Sequence, residues 1–264
     1  MIDFSLLGPV RGRHRDRELD LGSPQQRTVL AILLLHAGTP VTLTRLATAL
    51  WGDTPPPAAP ATVRTYISRL RQALAGTDVS ITSSDSGYAL PLPSLATDVA
   101  HFRRHTGLAA AATRAGAHAT AAMSLRSALA LRQGTILAGT FGPYTDAQRV
   151  RLQRLLRQAE VDRLHAEIRL GHAAYTAPDI ALMLASEPLS EDLNALMMIA
   201  LYASGCRAAA LAHYHQFARH LRTDLGTRPG PAVTTVLHRL LTGDPELLYP
   251  VTPGHPERPV AAAS

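Results

Sequence analysis

PATVRTYISRLRQALAG, residues 60–76, places Val63, Ile67, Leu70 and Leu74 at the spacing of one helical face. The opposite side carries Arg64, Thr65, Ser68, Arg69, Arg71 and Gln72 with no acidic residue among them, a surface that favours a polyanion over plain water. Pro60 suits the first turn, where its missing amide donor has no helical partner to lose, and Gly76 supplies a stop. Taken alone, such a helix is equally an ordinary solvated one. Its neighbours decide.

Immediately upstream, GSPQQRTVLAILLLHAGTPVTLTRLATALWGDTPPPAAP (22–60) gives an N-cap at Ser23, Pro24 at the first helical position, and a largely buried helix through Val29, Leu30, Ile32, Leu33 and Leu34. His36-Ala37-Gly38 ends it. Thr42 or Thr44 opens a second short helix through Leu46, Leu50 and Trp51, and Gly52 with Pro55, Pro56 and Pro57 forces a loop before the arginine helix. Downstream, DVSIT (78–82) and GYALPL (87–92) read as a hairpin joined by the polar SSDS segment. At the start, IDFSLLGPV and RELDLG suggest small strands flanking an Arg-rich turn at 11–17. Strand, three helices and hairpin in this order make a winged helix-turn-helix whose third helix enters the major groove.

The 264 residues, 46% of them hydrophobic, suffice for two modest cores, and two domains are expected. The first covers 1–93. A second, all-α domain follows the PLPSLATD linker over 97–245, and YPVTPGHPERPVAAAS within 246–264 has the composition of a disordered tail. Gly171 and Gly205 lie 34 apart, the tetratricopeptide period. At offsets of 5, 9 and 12 from each turn glycine the packing positions are Ala121, Leu125 and Ala128 after Gly116, Thr176, Ile180 and Met183 after Gly171, and Ala210, Tyr214 and Phe217 after Gly205. A longer helix at about 146–170 carries an apolar stripe of Leu152, Leu155, Leu156 and Ala159. These stripes read as core. The fold class is therefore mainly α: an N-terminal winged helix-turn-helix with small β elements, then a tetratricopeptide-like bundle.

The net charge of +6 suits a nucleic-acid partner but does not locate it, since residues 1–93 hold nine arginines against seven acidic residues and the remainder 17 against 13. Every basic residue is arginine, so the lysine of a Walker-type phosphate loop is absent. One cysteine, Cys206, excludes an intrachain disulfide and a thiolate cluster. His101 and His105 are four apart, yet Phe102 stands where a zinc protease needs glutamate, and His213 and His215 point in different directions on a helix. The histidines are read as solvent-facing, and no cofactor or metal is expected. There is no nucleophile elbow and no dinucleotide-binding glycine pattern, so the chain is not read as an enzyme. MIDFSLLGP has no leader character and no apolar run approaches a membrane span, so a cytoplasmic protein without a membrane partner is expected.

The stretch from Phe4 to Leu90 resembles the OmpR-type DNA-binding half of the Streptomyces antibiotic regulatory protein family, through LLGPV (6–10), GSPQQR (22–27), LLLHAG (33–38), ALWG (49–52), YISRLRQAL (66–74) and GY (87–88). The likeness continues in LYASGCRAAALAHYHQFARHLRTDLGTRPGPAV (201–233) and LLTGDP (240–245), within what is in that family the bacterial transcriptional activation domain. The resemblance implies a transcriptional activator without catalytic residues. It implies base-edge contacts from Arg64, Thr65 and Arg69, and phosphate contacts from Thr62, Tyr66, Ser68 and Arg71. It also implies two protomers side by side on tandem direct repeats of double-stranded DNA near the promoter −35 element, about one helical turn apart. They would recruit RNA polymerase through its sigma subunit, with Asp53 in the 52–59 turn as the candidate contact, to control antibiotic or secondary-metabolite genes. Two departures stand out: a wing tip of Ser83-Ser84-Asp85-Ser86 where relatives often carry a basic residue, and Arg132 where they commonly carry tryptophan. Two other readings fit the same chain, a ligand-responsive repressor with this DNA-binding domain and a helical-repeat scaffold for proteins.

Overall fold

The computed structural model describes residues 2–15 and 17–244; the tail at 246–264 and the last residue of LLTGDP lie outside the described residues. The chain forms two compact units, Met1–Glu160 and Val161–Ser264.

The first unit opens with an antiparallel sheet of β1 (Ile2–Ser5), β2 (Arg11–His14) and β3 (Arg17–Glu18) in that order, with Ile2 opposite His14 and Ser5 opposite Arg11. Sequence placed a turn over 11–17, but most of that stretch is strand. Alternation explains it: Arg11 and Arg13 face solvent while Gly12 turns inward against the Phe4 ring, so a charge-rich segment still forms a half-buried strand.

Helix α1 (Pro24–Leu35) starts at Ser23, whose hydroxyl accepts from the Gln26 amide while the Gln26 side chain accepts from the Ser23 amide. Eight of its residues are buried, which makes it the centre of the unit's core. Of the two threonines offered for α2 (Leu43–Trp51), Thr42 is the cap, accepting from the Arg45 amide. Helix α3 (Ala59–Ala73) follows the proline-rich turn and ends at Leu74, before Gly76 is reached. Val63, Ile67, Leu70 and Leu74 are all buried, as their spacing predicts.

The wing is shorter and later than its β-prone runs suggest. Strands β4 (Thr82–Ser84) and β5 (Gly87–Ala89) pair with Thr82 opposite Ala89 and Ser84 opposite Gly87, so Asp85-Ser86 alone makes the turn. Val79 and Ile81, read as strand, are instead buried side chains that carry the chain along the core outside the ladder. Tyr88 pairs with Val41 through both backbone groups, its amide donating at 2.9 Å and its carbonyl accepting at 2.8 Å, which fixes the wing to the start of the helix-turn-helix.

Helices α4 (Asp98–Arg114), α5 (His118–Leu129) and the early part of α6 (Pro143–Arg169) belong to the same unit and the same core as α1–α3. The link is a backbone ladder: the amides of Gln133, Leu137 and Ala138 donate to the carbonyls of Leu7, Leu6 and Gly8, and Val10 donates back to Ala138. The Asp98 carboxylate accepts from the amides of Leu6 and Leu7 at 2.8–2.9 Å. Burial pushes this carboxyl above the ordinary carboxylate range, against the pull of its amide donors and of His101. LLGPV thus serves as a docking strip. On α6, Leu152, Leu156 and Ala159 are buried, but Leu155 is 37% exposed and drops out of the expected stripe. Arg132 is exposed, so no buried group takes the place of the tryptophan expected there.

In the second unit the end of α6 packs with α7 (Ala173–Ser186), α8 (Glu191–Ala203), α9 (Arg207–Leu225) and α10 (Pro231–Thr242). Every residue of α8 from Leu193 to Ala200 is buried. Across the chain Gly116, Gly171 and Gly205 each take the left-handed backbone between consecutive helices, at φ 71°, 83° and 79°. From them the tetratricopeptide offsets land inward: Ala121, Leu125, Ala128, Thr176, Ile180, Ala210 and Phe217 are buried, and Met183 and Tyr214 are partly so. No helix among the described residues is long and apolar enough to cross a membrane.

Two histidines of this unit are not solvent-facing. His213 Nε2 lies 2.9 Å from Asn194 Oδ1, while Asn194 Nδ2 donates to the carbonyls of Pro188 and Ser190. Burial lowers the pKa of both His213 and His165 below the ordinary histidine value of 6.5. The unfolded chain therefore takes up these protons first, and the stability present above pH 6.5 is lost progressively as the pH falls below it. The thermal midpoint is expected to be lower at about pH 5 than at pH 7.5, with His213→Gln blunting the difference. An unchanged slope in the variant would remove His213 from this account.

Candidate nucleic-acid interface

The side of α3 turned away from the core presents Arg64, Thr65, Ser68 and Arg69, all exposed. Among the described residues neither Arg64 nor Arg69 has a hydrogen-bond or ion-pair partner, so both guanidinium forks keep their five donors for an outside acceptor. Thr65 donates its hydroxyl proton to the Ala61 carbonyl at 3.1 Å, leaving lone pairs and a methyl group outward. Toward a base edge it can accept from an amino group or touch a thymine methyl, but it cannot donate. Thr62, partly buried in the first turn, likewise donates to the Ala58 carbonyl at 3.0 Å. The Tyr66 ring is half-buried and packed against the core, so only its edge is offered.

Arg71 is placed differently. Its Nε donates to the Ile81 carbonyl at 2.9 Å and its terminal nitrogen to the Ser83 hydroxyl, which ties the end of α3 to the wing. The wing tip is exposed, with Ser84 and Ser86 hydroxyls 3.0 Å apart and Asp85 between them. The tip therefore offers hydroxyls and one negative charge. Asp53 is exposed in the turn between α2 and α3. Among the described residues no group of three His, Cys, Asp or Glu side chains could hold a metal ion.

Charge divides with the two units in a way the 1–93 count conceals. Residues 1–160 hold 18 arginines against 10 acidic residues, and 161–264 hold eight against ten. All of the excess positive charge sits in the unit that contains the winged helix. Arg45 on α2 is a further exposed cation of this unit that sequence reading missed, since it stands alone in the sequence without a basic neighbour.

A winged helix-turn-helix that presents exposed arginines on its third helix, followed by helical repeats, defines a DNA-binding transcriptional regulator. Residues 16–90 match the family model described as "Transcriptional regulatory protein, C terminal", and residues 97–241 match "Bacterial transcriptional activator domain". Regulatory protein AfsR of Streptomyces coelicolor is 42% identical over 248 residues, covering 93% of this chain and 25% of the relative. Regulatory protein DnrI of Streptomyces peucetius is 29% identical, covering 99% of this chain and 98% of the relative. Transcriptional regulatory protein MoaR1 of Mycobacterium tuberculosis is 31% identical, covering 91% and 79%. A structure titled Mycobacterium tuberculosis EmbR in complex with low affinity phosphopeptide matches with a TM-score of 0.86 at 29% identity, over 92% of this chain and 66% of that one. The chain belongs to the Streptomyces antibiotic regulatory protein family of transcriptional regulators. It spans about a quarter of the length of the AfsR relatives.

Proposed function

We propose that this chain is a sequence-specific transcriptional activator: its winged helix (1–93) reads DNA and its helical domain (97–245) serves activation. The carrying observation is the pair of exposed guanidinium groups of Arg64 and Arg69, without a partner among the described residues, on a helix whose other face is buried. Arg64, Thr65 and Arg69 read base edges. Ser68, the edge of Tyr66 and the free N–H groups of Arg71 hold phosphates, Thr62 joins them when its hydroxyl turns from the Ala58 carbonyl to a phosphate oxygen, and Arg71 also carries the wing into register. Wing contacts come from serine hydroxyls and are weak, because Asp85 opposes the backbone charge.

Two protomers bind tandem direct repeats near the −35 element, about one helical turn apart, so that both recognition helices approach from one side. The pair recruits RNA polymerase through its sigma subunit and switches on antibiotic or secondary-metabolite genes. The exposed Asp53 turn beside α3 is the contact. Transcription in vitro from a template carrying the repeats tests this, with Asp53→Arg expected to abolish stimulation without lowering DNA affinity, since the exchange adds two positive charges toward a polyanion. Stimulation that survives Asp53→Arg would remove the turn from the polymerase contact. Moving one repeat by half a helical turn should abolish activation by the wild type, and retained activation would contradict the side-by-side arrangement.

A further inference from the structure

Residues 94–160 carry nine arginines against three acidic residues, and none of the 47 positions from 99 to 145 is acidic. This helical part of the first unit is more basic than the winged helix it is built onto. Its excess charge needs a partner.

The start of α6 is seated directly on the helix-turn-helix. A Cβ added at Gly142 would lie 2.6 Å from the Leu50 carbonyl oxygen and 3.0 Å from that of Ala49, both at the end of α2. Thr28 of α1 exchanges hydrogen bonds with Phe141, donating to its carbonyl and accepting from its amide. One turn on, the Tyr144 ring stacks on His36 with centroids 5.6 Å apart. Burial raises the pKa of the Tyr144 hydroxyl, and the positive charges of Arg45 on α2 and Arg151 on α6 both act against that shift.

Arg151 and Arg154 are both exposed and share a face of α6, three positions apart. Arg151 donates to the neutral Gln148 side chain at 3.2 Å, and among the described residues Arg45 and Arg154 have no partner. The acidic group nearest in sequence to Arg151, Asp146, is taken by Arg149 at 2.6 Å. In a helix-turn-helix the first helix of the pair crosses the sugar-phosphate backbone. We propose that Arg45, Arg151 and Arg154 form a second phosphate-contacting surface, through which α6 extends the grip on duplex DNA beyond the recognition helix. This rests on the DNA-binding reading above. Because the contacts around Tyr144 already hold α6 in place, no ordering of the segment opposes the added contacts.

The test uses the full chain and a labelled duplex of random sequence about four helical turns long, titrated over a range of salt concentrations. Arg151→Gln with Arg154→Gln should make the slope of log affinity against log salt shallower by about two, and adding Arg45→Gln by about one more. The thermal midpoint should not move, since all three side chains are exposed. The sequence enriched by the triple variant from a random pool should equal that of the wild type. An unchanged salt slope overturns the proposal, and so does a lost transcriptional response at unchanged DNA affinity, which would assign the patch to the polymerase. If the wild type binds the random duplex yet enriches no sequence, the base-reading role of α3 fails while this surface is still measured.

Discussion

Arg64→Ala combined with Arg69→Ala is expected to lower affinity for the operator by about 2–6 kcal/mol, from about 1–3 kcal/mol per bidentate contact to a guanine edge. At tenfold per 1.4 kcal/mol this is roughly 30-fold to 10⁴-fold. Affinity for unrelated duplexes should fall far less, by the share of two positive charges in the salt-dependent term. Among the described residues neither side chain has a partner, so the helical circular dichroism and thermal midpoint should stay at wild-type values. Equal losses on specific and random duplexes would make these arginines phosphate contacts instead. Loss of helicity would make them structural.

Gly87→Ala is the substitution with the largest expected effect on the fold. At φ 122° this residue occupies backbone space that side chains rarely enter, and an added Cβ would lie 2.3 Å from the Val41 carbonyl oxygen. The conformational cost is about 1–3 kcal/mol, and the overlap with backbone adds a similar amount. The thermal midpoint should therefore drop by roughly 5–20 °C. Operator affinity should drop with it, because Tyr88 loses its pairing with Val41 and the wing leaves its register. Gly107→Ala, on an exposed face of α4 with nothing within 4 Å of an added Cβ, should be neutral or raise stability by up to about 1 kcal/mol. A stable Gly87→Ala protein with intact binding would show that the wing tolerates displacement.

Local chemistry written in short stretches was legible before any coordinates. Ser23 with Pro24 starts α1, Thr42 starts α2, and the apolar spacing of Val63, Ile67, Leu70 and Leu74 gives the buried side of α3. The turn glycines of the repeats worked for the same reason: a fixed backbone turn sets which later residues face inward, so counting from Gly116, Gly171 or Gly205 finds the packing positions. What failed depended on partners far along the chain. Val79 and Ile81 look like strand by composition, yet which segment enters a ladder is decided by the Val41–Tyr88 pairing. The docking of residues 6–10 onto 133–138, and of Asp98 onto the Leu6 and Leu7 amides, spans more than 90 residues and leaves no local pattern.

The candidate site shows the same division. An arginine-bearing face without acidic residues is visible as text, and Arg64 and Arg69 lie on it as expected. That Arg71 is committed to Ile81 and Ser83 is visible only in three dimensions, since nothing in its neighbours distinguishes it from Arg69. Nor could the charge be located by a count that stopped at residue 93. Its meaning appears when residues 94–160 fold onto the winged helix and bring nine further arginines to that unit.

Selection of bound duplexes from a random pool by the purified full chain, at near-physiological salt and followed by sequencing, tests the central claim most directly. Direct repeats about one helical turn apart are the predicted result, with the enriched bases lost in the Arg64→Ala and Arg69→Ala variant. A folded protein that enriches no sequence would contradict the reading of α3 as the helix that recognises DNA.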